Sequence, residues 1–209
     1  GQEIADTLVS LEAYDCQTEA FVTLQNEDCG FSYRYSMFRG DAAGRFAITS
    51  ITLKLNKSAL KPPFYSTLQA YFDNKGMTLF SPKIIREAVI AIRAEKLPDP
   101  ALTPNTGSFF KNAIIEKWQL TDLQANYPDV PLYDLGDSRY KIPTGWLIEQ
   151  AGFKGQLLHG IRIHSKNALV LINESATSYA DLAAARDEII GAVRDQFRIL
   201  IEQEPLELR

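Results

Sequence analysis

The chain has 209 residues, 45% hydrophobic and 23% charged, the proportions of a globular protein with room for one sizeable domain or two small ones. A net charge of −4 and a pI near 5.3 argue against nucleic-acid binding as the main role, yet leave room for local basic clusters that grip a phosphate-bearing small molecule. No apolar run approaches the roughly 18 residues of a membrane span, so no membrane partner is expected.

The only cysteines, Cys16 and Cys29, have neither metal spacing nor a CxxC pattern, which favours two ordinary thiols. The chain opens Gly1-Gln2-Glu3 with no signal-peptide pattern and no initiator methionine, so further sequence upstream is expected.

The first third reads as β structure. Val9, Leu11 and Ala13 alternate with polar residues, as do Ile51, Leu53 and Leu55 after Phe46 and Ile48. Residues 15–19 read as the turn of a hairpin between 7–14 and 20–24. Ser81-Pro82 supplies an N-cap and a first-turn proline, and Ile84, Ile85, Ala88, Val89 and Ile92 follow at helical spacing, predicting a helix over 82–95. Leu97-Pro98 ends it, and the proline-rich 97–105 segment is the expected domain boundary.

A second helix is predicted near 114–124, followed by a polar loop containing Pro128, Pro131 and Gly136. A short helix over 145–151 is closed by Gly152. Ala168–Ile172 is a continuous apolar run, predicting a buried strand. Ser178, with Asp181 three residues on, predicts a capping box opening a final helix that reaches about Phe197. The segment 199–208 reads as extended. The class is α+β, with no internal repeat.

Few residues carry chemistry on their own. His159 and His164 lie five apart, an odd separation that places them on opposite faces of a strand, with no cysteine or carboxylate to complete a metal set. Ser108 lacks the second glycine of a nucleophile elbow, and no G-x-G-x-x-G or P-loop occurs. Tyr33–Arg39 alternates aromatics with arginines that could fork onto a carboxylate or phosphate, although a solvated strand edge with cation–π packing is what these residues alone favour. Ser108 alone reads as a turn serine capping a following helix. What sets it apart is the company of Lys96, Lys111 and Asn112 in a stiff polar stretch, 96–112.

Taken together, Y-R-Y-S-M-F, K-L-P-D-P, N-T-G-S-F-F-K-N, G-W-L-I-E-Q-A-G-F-K-G and N-A-L-V-L-I-N-E resemble the UDP-N-acetylenolpyruvoylglucosamine reductase (MurB) family, in that family's order and over nearly the whole chain. The segment with Tyr65 resembles the branch carrying a tyrosine-bearing loop over the substrate. The resemblance implies the end of a PCMH-type FAD-binding domain over 1–97, a substrate-binding domain over 98–202, and over 203–209 the start of a segment returning to a first domain.

It implies a cytoplasmic step of peptidoglycan synthesis, in which NADPH reduces bound FAD and hydride then passes to the enolpyruvyl double bond of a UDP-sugar. Hydride addition at C3 leaves charge at C2, delocalised into the carboxylate as an enolate that must be stabilised and protonated. The resemblance makes Ser108 the proton donor, with Arg34 and Glu204 flanking the substrate carboxylate, the glutamate able to help only when protonated or bridged. Tyr65 and Lys96 are implied to contact diphosphate. Asn112, Tyr133 and Asn167 are also implied to bind substrate, the two amides reading uridyl or sugar groups.

The chain departs from the family pattern at Tyr35, where the family has aspartate, at Ala113, where it has proline, and at Glu202-Gln203-Glu204-Pro205, where it reads E-P-E. Most FAD contacts would precede Gly1, so the isolated chain is expected to be a fragment without bound flavin, and inactive alone. A non-catalytic UDP-sugar- or partner-binding module derived from the family is the alternative. Oligomeric state is not legible.

Overall fold

The computed structural model describes residues 3–57 and 60–207. It divides into two compact units, Gly1–Arg86 and Glu87–Arg209.

In the first unit, β1 (Leu8–Asp15), β2 (Ala20–Gln25) and β3 (Phe46–Leu53) form an antiparallel sheet in the order β2-β1-β3. The hairpin lies where the turn signal puts it, with Asp15 paired to Ala20.

The inward face differs at one residue from the alternation. Leu8 is buried and Val9 is exposed, because the pairing runs from Leu8↔Leu53 to Ser10↔Thr52 and leaves Val9 as the extra residue of a β-bulge. A second bulge at Thr49 brings Phe46, Ile48, Ile51 and Leu53 onto one face despite their change of parity, opposite Asp15, Ala13, Leu11 and Leu8. Cys29, Phe31 and Phe38 pack with Leu11 and Ala13 to make this unit's small core. Cys16 and Cys29 are free thiols, one exposed and one buried.

A helix that the pattern did not show, α1 (Ser66–Asn74), buries Leu68 and Phe72, and the rings of Phe64, Phe72 and Phe80 meet edge-on or tilted at 4.9–5.4 Å. The division between units falls inside α2 (Pro82–Lys96), whose Ile84 N–H donates to the Ser81 hydroxyl as the capping pattern predicts.

The second unit holds β4 (Asn105–Ser108), β5 (Ala113–Glu116), α3 (Lys117–Asn126), β6 (Tyr133–Asp134), β7 (Arg139–Ile142), α4 (Thr144–Gln150), β8 (Leu157–Leu158), β9 (Ile161–Ile163), β10 (Val170–Asn173) and α5 (Tyr179–Phe197). One sheet runs β4-β10-β9-β8 and another β5-β7-β6.

The helix expected from 114 begins at Lys117 instead. Residues 113–116 pair with β7 as a strand and bury Ala113 and Ile115 in strict alternation, while Glu116 closes a capping box with Gln119. The polar loop around Pro131 and Gly136 contains β6 and β7, strands too short to give a period of their own.

Ser178 and Asp181 make the expected capping box on α5. Its Ala185, Ile189, Val193 and Phe197, four residues apart, form the buried stripe that faces Ile163, Leu147 and Ile148 in one core. Burying each larger apolar side chain contributes about 1.5–3 kcal/mol. Of the segment read as extended, residues 199–207 form no helix, and Leu208 lies outside the described residues.

Candidate active site

Ser108 is the last residue of β4, not a turn serine capping a helix. Its position depends on a bulge. Val170 pairs with Ser108 and Ile172 with Asn105, so Thr106 and Gly107 together oppose Leu171. Gly107 takes φ 75, the left-handed region open to glycine, and its N–H donates to the Asn105 side chain at 2.8 Å. A bulge of this kind re-aims the side chain that follows it. Asn105 also donates to the carbonyls of Thr103 and Pro98, tying the loop after Lys96 to the start of β4. Lys96 itself is exposed at the end of α2.

Two further residues, Asn167 and Glu204, are tied to neighbours of Ser108 by backbone bonds. The Asn167 carboxamide accepts the Leu169 N–H at 3.1 Å and its carbonyl accepts the Val170 N–H, while Leu169 in turn accepts the Phe109 N–H at 2.7 Å. The Glu204 N–H donates to Phe109 at 2.8 Å and the Lys111 N–H to Glu202 at 2.9 Å, framing an antiparallel bridge between Phe110 and Gln203. The Glu202 carboxylate pairs with Lys111 Nζ at 2.7 Å. Asn112 lies beyond that bridge, and its Oδ1 accepts the Thr144 N–H at 3.2 Å. A backbone N–H can only donate, so the atom facing Thr144 is the amide's oxygen.

Thr144 was not legible as a site residue. It is fully buried, donates to the Lys111 carbonyl at 2.7 Å and accepts the Ala113 N–H at 3.0 Å. A polar residue opening a short helix after proline is the only sequence signal, and its partners lie 31–33 residues away.

Tyr133 is exposed on β6, with Lys141 Nζ 4.9 Å from its ring centroid. His159 meets Glu188 at 3.1 Å. His164 has a buried Nδ1 without a hydrogen-bond partner, and burial first, then the charge of Lys166, pushes its pKa down. A cavity of about 590 Å³ opens beside Thr106, Phe109, Leu171 and Leu182, and Ser108 does not line it.

Arg34 and Tyr65 lie in the first unit. Two backbone bonds between Ser32 and Tyr35 close a tight turn, with Arg34 near its tip at φ 55 and its guanidinium 5.2 Å from the Tyr33 ring centroid. This is a turn, not the strand edge that the alternation suggested. Tyr35 lays its hydroxyl and ring edge against Gly40, leaving no room for even a Cβ. Arg34, Tyr35 and Arg39 line a cavity of about 370 Å³. Tyr65 is exposed at the N-cap of α1.

Residues 99–207 match the family described as UDP-N-acetylenolpyruvoylglucosamine reductase, C-terminal domain. The chain belongs to this family. Among similar curated proteins of that name, the one from Dechloromonas aromatica (strain RCB) is 38% identical over 209 residues, covering 99% of this chain and 62% of the relative. Another, from Bacteroides fragilis (strain YCH46), is 38% identical over 205 residues, covering 98% of this chain and 60% of the relative. The chain thus spans about three fifths of the length of these reductases.

The crystal structure of the reductase MurB from Thermus caldophilus superposes with a TM-score of 0.54 at 19% identity, over 96% of this chain and 52% of that one. At that identity it bears on the fold, and it agrees with the mixed α+β class expected from the sequence. No helix among the described residues is long and apolar enough to cross a membrane.

Proposed function

We propose that this chain supplies the substrate-binding part and the proton donor of an enzyme that reduces UDP-N-acetyl-enolpyruvoylglucosamine to UDP-N-acetylmuramate with FAD and NADPH. In this reading the enzyme acts in the cytoplasm, in the peptidoglycan synthesis on which cell shape and division depend. Residues 98–202 bind the substrate, 1–97 are the end of a flavin-binding domain, and 203–209 begin the return to its first part. The observation that carries the reading is Ser108 set by a bulge, with Asn167 and the Glu204 segment tied to its neighbours by backbone bonds.

The residues present do not by themselves fit a flavin dinucleotide. Its phosphates require several backbone N–H groups converging at a glycine-rich turn or a helix N-terminus. In the first unit, Gly30, Gly40, Gly44 and Gly76 are scattered in sequence, and the space above Gly40 is filled by Tyr35. The flavin is therefore assigned to sequence beyond this chain, and the steps described here are those of the chain's own groups.

Ser108 Oγ gives its proton to C2 as charge develops there. A neutral hydroxyl is a weak acid, but a carbanion-like carbon is a strong enough base to take its proton. The resemblance gives Arg34, a planar fork suited to a carboxylate, and Glu204 roles at the adjacent carboxylate. Lys96 and Tyr65 take the diphosphate. Asn112, Asn167 and Tyr133 bind substrate, the two amides at the uridyl or sugar group.

The test is NADPH oxidation that depends on the enolpyruvyl substrate, in a protein carrying this chain together with its flavin-binding part. No turnover despite stoichiometric flavin would overturn the assignment. Substrate-dependent turnover that Ser108→Ala abolishes supports it.

A further inference from the structure

Ile199 and Ile201 anchor in the core the segment that carries Glu204, and beyond them the stretch from Gln203 to Glu207 has little apolar packing of its own. It runs along a cavity of about 550 Å³ lined by Thr106, Phe109, Leu182 and Arg186 on one side and Gln203, Pro205 and Leu206 on the other. Leu206 is 66% exposed. What crosses from α5 is the Arg186 guanidinium, with the Tyr179 hydroxyl beside it bonding Glu207. Arg186 donates from Nη1 to Gln203 Oε1 at 3.0 Å, to Glu207 Oε1 at 3.0 Å and to the Tyr179 hydroxyl at 3.1 Å, and from Nε to Asp187 at 2.8 Å. Gln203 adds bonds from Nε2 to the Pro205 carbonyl and to Glu207, so the clamp holds both ends of a short stretch. The Arg186 side chain is only 19% exposed, which shields these bonds from water and salt.

We propose that Arg186, acting through Gln203, is the positioning residue that sets the register and facing of Glu204. This rests on the function proposed above, in which Glu204 borders the substrate carboxylate. In an extended segment side chains alternate, so drawing Gln203 toward α5 turns Glu202 and Glu204 to the other side. A slip of one residue would reverse that facing.

The bonds framing Gln203 run from Lys111 N–H to Glu202 and from Glu204 N–H to Phe109, so the pairing makes no use of the N–H of residue 203 itself. Proline is compatible with the pairing there, and its fixed φ would hold the same extended path without the clamp.

The test uses Arg186→Met, Gln203→Ala and the double variant Arg186→Met/Gln203→Pro in the flavin-loaded protein carrying this chain. Misplacing a group by an ångström costs on the order of tenfold to a hundredfold in rate, so Arg186→Met and Gln203→Ala are expected to lower kcat about tenfold with KM changed less than about twofold. Amide exchange at Glu204 should speed about tenfold while that of Leu147 and Ile163 in the core is unchanged. The double variant should recover both kcat and Glu204 protection.

Wild-type kcat and wild-type Glu204 protection in both single variants would overturn the proposal, as would failure of proline to restore either. If Arg186→Met loses protection throughout the core, Gln203→Ala, which cuts the clamp from the exposed side, decides. Absence of turnover in the wild type would instead sink the proposed function, and Glu204 exchange would then decide the clamp by itself.

Discussion

Thr144 grips the backbone on both sides of Asn112, donating to the Lys111 carbonyl at 2.7 Å and accepting from the Ala113 N–H at 3.0 Å. All three atoms belong to the half of the protein where the proposed acid and substrate amides stand. Replacing the hydroxyl by a methyl strands two backbone groups in the core. Thr144→Val is therefore expected to destabilise the second unit by about 1–3 kcal/mol, and Thr144→Ser by well under that. Urea melts of the three proteins check this, and equal midpoints for Thr144→Val and wild type would count against the role.

Ser108 and Gly107 give separable effects. Ser108→Ala should leave stability nearly unchanged and reduce turnover by about 10²–10⁴-fold, the range for loss of a positioned proton donor. Gly107→Ala meets no atom but forces an L-residue to φ 75. It is expected to cost about 1–2 kcal/mol and to lower kcat by disturbing the bulge beneath Ser108. Thermal melts and kcat on the same preparations distinguish the two.

Asp15 is buried and holds Arg45 through two bonds, at 2.9 and 2.6 Å, while also accepting the Gln17 N–H. The Arg45 hydrogen bond keeps its carboxyl well below the usual range. A depressed carboxylate contributes stability that is complete above the unfolded value, about 3.9, and is lost as pH falls through the folded value. Asp15→Asn should thus melt lower than wild type at pH 6, with the gap closing toward pH 2. A gap independent of pH would contradict the ion-pair account.

His164 behaves in the same sense for a different reason. Burial lowers its pKa, so the fold holds the imidazole neutral. Below the unfolded value of about 6.5 the unfolded chain takes up the proton first, and stability falls as pH drops from there toward the folded value. His164→Gln should flatten that part of the stability–pH curve between pH 7 and 5. An unchanged slope would assign it to other groups.

The elements legible beforehand are those whose cause is local. Ser178 with Asp181, Ser81 with Pro82, and the 15–19 turn each carry their signal within four residues, and each is found where it was expected. The strand at 113–116 was misread as helix because Ala-Ile-Ile-Glu is apolar enough for either. Its partner, Arg139–Ile142, lies more than twenty residues away in a stretch of turn-forming residues. Val9 and Leu8 exchanged places because a bulge depends on the opposite strand.

The same line divides the site. The order of five motifs was enough to give the family, and the resemblance pointed to Ser108, Asn112 and Glu204. Nothing local in the chain says that Thr144 brackets Asn112, that Lys111 pairs with Glu202, or that Arg186 reaches across to Gln203. Those pairs are separated by 17 to 91 residues. A hydrogen bond is specified by distance and angle, which exist only after strands have paired and the core has closed. The sequence by itself determined which chemistry the chain could carry. The tertiary structure decided which of its polar atoms are held in place to carry it.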